Sequence, residues 1–195
     1  YDITFFMNQK QIPTDVLKYE LRKMQIKLAE ESRSSFTTFV KKVWPEFIAG
    51  SHHKIIAQKF EDISRGKIKR LIVNMPPRHT KSEFASHLFP AWMMGQNPSM
   101  KIIQATHTTE LAVNFGRKTK NLIDSEEYKE IFPEVKLAAD SKASGRWDTS
   151  RGGMYYAVGV GSNLAGRGGD LVIIDDPHSE QTAMSSNGFD DAWDW

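Results

Sequence analysis

Leu171, Val172, Ile173 and Ile174 form an unbroken apolar run that ends in two carboxylates, Asp175 and Asp176. A run without polar alternation suits a strand buried on both faces, and such strands belong to parallel sheets covered by helices. The rest of the chain carries a matching rhythm. β-rich runs over residues 71–75, 101–106 and 154–160 are separated by helical patterns over 82–94 and 109–123. This alternation predicts an α/β fold with right-handed crossovers and a mostly parallel central sheet flanked by helices.

Before residue 71 the pattern is helical. Leu17, Leu21, Met24 and Leu28 recur at helical spacing behind a candidate N-cap, Thr14, which predicts an amphipathic helix over 15–31. Residues 36–43 predict a short second helix, stopped at Trp44 because Pro45 disfavours helix in the residue before it. Gly50 and Ser51 mark a further boundary, and residues 53–63 resume a helical pattern. Residues 136–153, rich in Ser, Ala, Gly and Asp, read as a loop or edge excursion. The chain therefore divides into an N-terminal helical extension, 1–35, and one α/β domain, 36–195.

With 39% hydrophobic and 26% charged residues over 195 positions, the chain can bury a sizeable core. It holds no apolar run of roughly 20 residues and no positive-then-apolar leader, so a membrane or secreted protein is not expected. The absence of cysteine excludes disulfides and thiolate metal sites. The net charge of +2 conceals an asymmetry: residues 1–70 carry 14 Lys/Arg against 8 Asp/Glu, and no Lys or Arg follows Arg167. A basic front half suits a polyanionic partner, and equally an ordinary solvated surface.

The chemistry begins where Leu71, Ile72, Val73, Asn74 and Met75, read as a buried strand, run into Pro76, Pro77, Arg78, His79, Thr80, Lys81 and Ser82, and then a helix. That is the layout of a phosphate-binding loop: backbone N–H groups and a helix N-terminus surround the phosphates, a Lys reaches them, and a hydroxyl ligates Mg²⁺. Against the pattern G-x-x-x-x-G-K-S/T, Met75 and Thr80 stand at the two glycine positions. A Lys-Ser pair alone reads as well as a solvated helix start; the strand and helix around it make the phosphate reading.

The carboxylates at the end of the 171–174 run follow the lysine by 94 residues. Ligands of open α/β sheets sit at the carboxyl ends of the strands, so Asp175 and Lys81 are expected to converge on one nucleotide. Mg²⁺ takes oxygen ligands and keeps several waters, which assigns Ser82 to direct coordination and Asp175 to coordination through water. Asp176 then orients or deprotonates the attacking water, with Glu180 in reserve. Phosphoryl transfer also calls for a guanidinium. Arg78 lies in the loop itself, Arg167 in a glycine-rich turn before the carboxylates, and Arg146 and Arg151 flank Trp147.

These residues, with Phe89, Pro90, Ala91 and Trp92, Gly145 to Trp147, Gly152 and Gly153, Gly166 to Gly168 and Ile174 to Pro177, resemble in order the large terminase subunits of tailed bacteriophages. The resemblance runs from about residue 36 to the end. It implies a P-loop ATPase domain of the additional-strand type, magnesium-dependent ATP hydrolysis, and packaging of double-stranded DNA into a procapsid. It implies a homo-oligomeric ring, a portal and a small terminase subunit as partners, and the cytoplasm of an infected bacterial host as location. By position it assigns Pro77, Arg78, His79, Thr80, Lys81, Ser82 and Glu83 to the nucleotide, with His53 near the place of an adenine contact. Family members commonly carry a nuclease half as well. Nineteen residues follow Asp176 without an acidic cluster, so the expectation here is an ATPase part without nuclease activity.

Three positions depart from the family pattern. Thr80 stands where a glycine is usual, Asp176 where a glutamate is usual, and Ala165 where other branches carry a finger arginine before Gly166. Arg167, two residues further on, is the nearest substitute for a finger acting on a neighbouring subunit's nucleotide. A helicase-like translocase shares both phosphate-handling elements, and a nucleotide-binding module that does not hydrolyse is a reading of a different class.

Overall fold

The computed structural model describes residues 13–185 and 187–195. The first twelve residues of the expected 1–35 extension lie outside the described residues. Helix α1 (Thr14–Ser34) is followed by α2 (Phe36–Val43), whose N-terminus is capped by the Ser35 hydroxyl accepting the Thr38 N–H at 3.3 Å. Helix α2 ends before Pro45, as the sequence requires, and α3 spans Ser51–Ser64. A π-helical turn (Glu83–Leu88) leads into α4 (Phe89–Gln96). Pro90 has no N–H to give the carbonyl four residues back, and the widened turn stands directly in front of it. Strand β1 (Lys101–Thr106), α5 (Thr109–Asp124) and α6 (Glu126–Ile131) come next. Then follow β2 (Arg146–Asp148), β3 (Met154–Gly159), β4 (Leu171–Asp175), α7 (Glu180–Ala183) and α8 (Gly188–Asp194).

The four strands form one sheet in the order β2-β3-β1-β4. β3, β1 and β4 are parallel, and β2 pairs antiparallel with β3. The fold is α/β with a mixed, mostly parallel sheet flanked by helices. Register aligns Thr106 with both Gly159 and Asp175, so the carboxyl ends of the three parallel strands lie side by side.

Phe36 sits at the centre of the core. Its ring meets Phe60, Phe84 and Trp92 edge-on at 5.3, 5.5 and 5.5 Å, and Phe89 at 6.0 Å, so one side chain of α2 ties together α3, the π turn and α4. Ile102, Ala157, Tyr155 and Ile173 carry this large cluster onto one face of the sheet. The other face bears a small cluster of Ile103, Ala105 and Val158, with Tyr156, Leu164 and Trp195 against it. Helix α1 buries Ala29 and Ser32 near its end, where the Trp92 indole donates to the Ser32 carbonyl at 2.9 Å and the Arg33 guanidinium to the Ile131 carbonyl at 2.6 Å.

Three expectations need correction. β4 is an edge strand rather than a central one, and Val172 and Ile174 are 53% and 57% exposed while Ile173 and Asp175 are buried. Apolarity measures what a strand is able to bury, and β4 has a described neighbour on one side alone. Residues 71–75 are not a strand of the sheet. Leu71, Val73 and Met75 pack against the core from one side and Ile72 is 86% exposed, so the segment keeps a strand's period of two without a ladder partner among the described residues. Within the expected loop 136–153, residues Arg146–Asp148 form β2, because Trp147 is fully buried, stacked on Tyr155 at 4.9 Å, with its indole N–H on the Gly116 carbonyl.

Candidate active site

Asp175 and Asp176 leave the sheet at the end of β4 in opposite states. Asp175 is 6% exposed and its Oδ2 accepts the Ser86 hydroxyl at 2.9 Å. Ser86 in turn accepts the Gln104 amide at 3.2 Å, so a buried polar chain runs from the middle of β1 through the π turn to the carboxylate. Asp176 is exposed and adopts φ of 44°, in the left-handed region, and its carbonyl is held by the His107 N–H at 3.2 Å.

Lys81 brings the loop to both carboxylates. Its Nζ lies 2.5 Å from Asp176 Oδ1 and 3.9 Å from Asp175 Oδ1, across 95 and 94 residues of sequence. The expected convergence of Lys81 and the carboxylates is therefore present. The loop itself has an unusual backbone: Arg78 and Thr80 both have φ of 62°, while His79 and Lys81 between and after them do not. Alternation of this kind turns successive N–H groups toward one side and makes an anion-binding concavity, a nest. Together with Asp176, these are the positive-φ non-glycine residues among the described residues. The Thr80 carbonyl accepts the Phe84 N–H at 2.9 Å, which starts the helical winding directly behind the loop.

The remaining candidates fall into distinct places. Ser82 follows Lys81 on the first turn and is partly exposed. Pro77 and Arg78 are exposed on the loop, and His79 bonds the Pro77 carbonyl at 2.9 Å. Glu83 is drawn away into a structural pair with His87, at 2.9 Å, and Lys118 of α5; the His87 bond and then Lys118 hold its carboxyl at about 2, against the opposing effect of burial. His53 of α3 is 7% exposed and reaches Thr80 Oγ1 at 2.6 Å. Glu180 opens α7 and shares with Asp176 and His107 a shallow cleft of about 550 Å³.

Arg167 and Arg146 are not brought to Lys81. The Arg167 guanidinium lies 4.1 Å from the centre of the Tyr156 ring, and register sets Arg146 directly opposite Tyr156. Tyr156 pairs with Ile103, whereas Asp175 shares its face with Gln104 and Ile173. Both finger candidates thus belong to the face of the sheet opposite the buried carboxylate.

Sequence reasoning missed Ser86, Gln104 and His107. A signal existed for two of them: Gln104 is the polar residue among the apolar interior positions 102, 103 and 105 of its strand, and Ser86 lies one helical turn past Ser82. The donors around Lys81 are oxygens, which suits a hard divalent cation that retains waters. Among the described residues no cluster of three or more His, Cys, Asp or Glu side chains is able to hold a metal by protein ligands alone. Among them, too, no helix is long and apolar enough to cross a membrane.

Fold and site together define an α/β protein whose polar side chains gather at the carboxyl ends of parallel strands, the usual ligand position in such sheets. No protein-family model matches the chain, and no curated protein is significantly similar to it.

Proposed function

We propose that the chain binds and hydrolyses ATP, as the motor domain of a large-terminase-type packaging protein acting on double-stranded DNA. The observation that carries the reading is the meeting of three strained residues, Arg78, Thr80 and Asp176, around Lys81. Non-glycine residues in the left-handed region cost about 1–3 kcal/mol each and persist at sites where that conformation serves a purpose. A P-loop domain of the additional-strand type is the finer fold this reading implies.

The nest of residues 77–82 receives the phosphates, and Lys81 leaves Asp176 to meet them. Its charge then counters the charge that develops on the transferred phosphoryl group. Asp176, released from the ammonium, accepts a hydrogen bond from water and orients it for attack. Ser82, and Asp175 through water, would hold Mg²⁺, which supplies positive charge to the phosphate oxygens when bound. Ser86 keeps Asp175 aimed, because its hydroxyl donates to the carboxylate at 2.9 Å. The basic front half of the chain suits the DNA backbone. A ring of like chains, a portal, a small terminase subunit and the bacterial host cytoplasm are the context this reading implies.

Phosphate release with and without double-stranded DNA tests the proposal. Turnover stimulated by DNA supports a motor. Mg-ATP binding without turnover, in the presence of DNA, would instead identify a nucleotide-binding module.

A further inference from the structure

Thr80 is the least comfortable residue of the loop. A β-branched side chain at φ of 62° is a genuine outlier, where glycine, asparagine or aspartate would be at ease. Its hydroxyl is nonetheless fully engaged: it donates to the His79 carbonyl at 2.6 Å and meets His53 Nε2 at 2.6 Å. His53 has its other nitrogen engaged as well. Nδ1 accepts the Gly50 N–H at 2.9 Å, at the start of α3. A neutral imidazole has one donor and one acceptor, so this bond fixes the proton on Nε2 and makes His53 the donor to Thr80. The ring is gripped by Phe47 at 4.8 Å and Phe84 at 4.9 Å.

We propose that His53 is a positioning residue for the phosphate loop, locking Thr80 in its left-handed conformation through Nε2–H. The ligand's identity rests on the nucleotide reading above; the lock does not. With both nitrogens committed inside the protein, His53 acts on a ligand through Thr80 rather than by touching it. The lock needs a neutral ring, because a second proton on Nδ1 would face the Gly50 N–H, donor against donor. Burial first, and then the neighbouring charges of His52 and His79, push His53 below its ordinary value of 6.5. His52 from α3 and His79 from the loop are the titratable groups that oppose its charge, while Phe47 and Phe84 are neutral. The lock is therefore closed at neutral pH and opens on acidification.

The test combines a reading without ligand and one with it, on the full chain. ¹⁵N NMR should show the Nε2–H tautomer for His53 at pH 7.5. Amide exchange over residues 78–82 should quicken about tenfold in His53→Ala, the size expected for one lost hydrogen bond of roughly 1.4 kcal/mol. Thr80→Val, which keeps the strain and removes the hydroxyl at a partly exposed site, should do the same. In a Thr80→Gly background, His53→Ala should add less than about twofold, since glycine needs no lock. The affinity for a fluorescent ATP analogue with Mg²⁺ should fall in parallel, and should weaken on acidification in the parent chain more than in Thr80→Gly.

An Nδ1–H tautomer, or an equal effect of His53→Ala in both backgrounds, overturns the lock, the latter showing that His53 serves only α3. Should His53→Ala fail to fold, Thr80→Val decides: unaltered exchange over 78–82 overturns the proposal. Exchange that responds as expected in a chain that does not bind the ATP analogue leaves the lock standing and removes the nucleotide reading.

Discussion

Lys81 is the residue on which the proposed chemistry turns, and its ion pair with Asp176 gives two predictions of different kind. Lys81→Ala removes the charge offered to the phosphates but little packing, because the side chain is partly exposed and its polar partners are the two carboxylates. ATP turnover should fall by at least about 100-fold while the urea unfolding midpoint stays put. Equal turnover in parent and variant would remove the loop from the mechanism. Asp176→Asn should separate binding from hydrolysis. Asparagine tolerates the left-handed backbone that Asp176 adopts, so the geometry survives. Turnover should drop about 100-fold or more, yet Mg-ATP should bind tighter, because Lys81 no longer has to leave a full negative charge. Normal turnover in Asp176→Asn, beside an inactive Glu180→Gln, would move the water-orienting role to Glu180.

Helix α2 packs on the π turn that winds directly behind the loop. Phe36 is fully buried at the meeting of α2, α3, α4 and the π turn. Phe36→Ala should destabilise the fold by about 3–5 kcal/mol in urea unfolding, the range for a buried phenylalanine whose cavity cannot collapse. A loss below about 1 kcal/mol would mean the four elements are held together by other contacts. The π turn has its own tie to α5, through Glu83 with His87 and Lys118. Because the Glu83 carboxyl is held at about 2 against an ordinary 4.5, its contribution is present in full above 4.5. It is lost as pH falls from there toward 2. The difference in urea midpoint between parent and Glu83→Gln should accordingly shrink over that window. Partial exposure and salt screen the pair, so the difference should also shrink at high ionic strength. A pH-independent difference would place the tie in packing rather than charge.

For the molecule as a whole, the position of the arginines decides how it can act. Arg167 and Arg146 lie around Tyr156, across the sheet from Asp175, so either of them would serve the proposed reaction on a neighbouring chain's nucleotide, beside the Arg78 that the loop carries itself. Specific activity should then rise with protein concentration, because each site is completed by a docked neighbour. Mixing Arg167→Ala with Lys81→Ala should restore part of the turnover, the first chain supplying an intact loop and the second an intact arginine. Turnover strictly proportional to concentration, without rescue on mixing, would confine the reaction to one chain, with Arg78 as the guanidinium left to it.

The α/β alternation, the stop of α2 before Pro45 and the Lys81–Asp175 convergence were legible in the chain because each rests on local signals: period, proline, and the rule that strands present ligands at their carboxyl ends. The expected Thr14 cap was not, since Thr14 is the first residue of α1 and Pro13 stands before it without a side-chain bond. The loop's departure from the glycine pattern was legible as well, as Thr80 in the place of glycine. How the chain tolerates it was not. That depends on His53, 27 residues away, whose hydrogen bond exists because Phe47 and Phe84 grip the ring beside the loop. The place of β4 at the sheet edge, the unpaired course of residues 71–75 and the burial of Trp147 in β2 were likewise decided by tertiary structure. Sequence sets what each segment is able to bury or bond; which neighbour arrives to be buried against is a property of the whole packed chain.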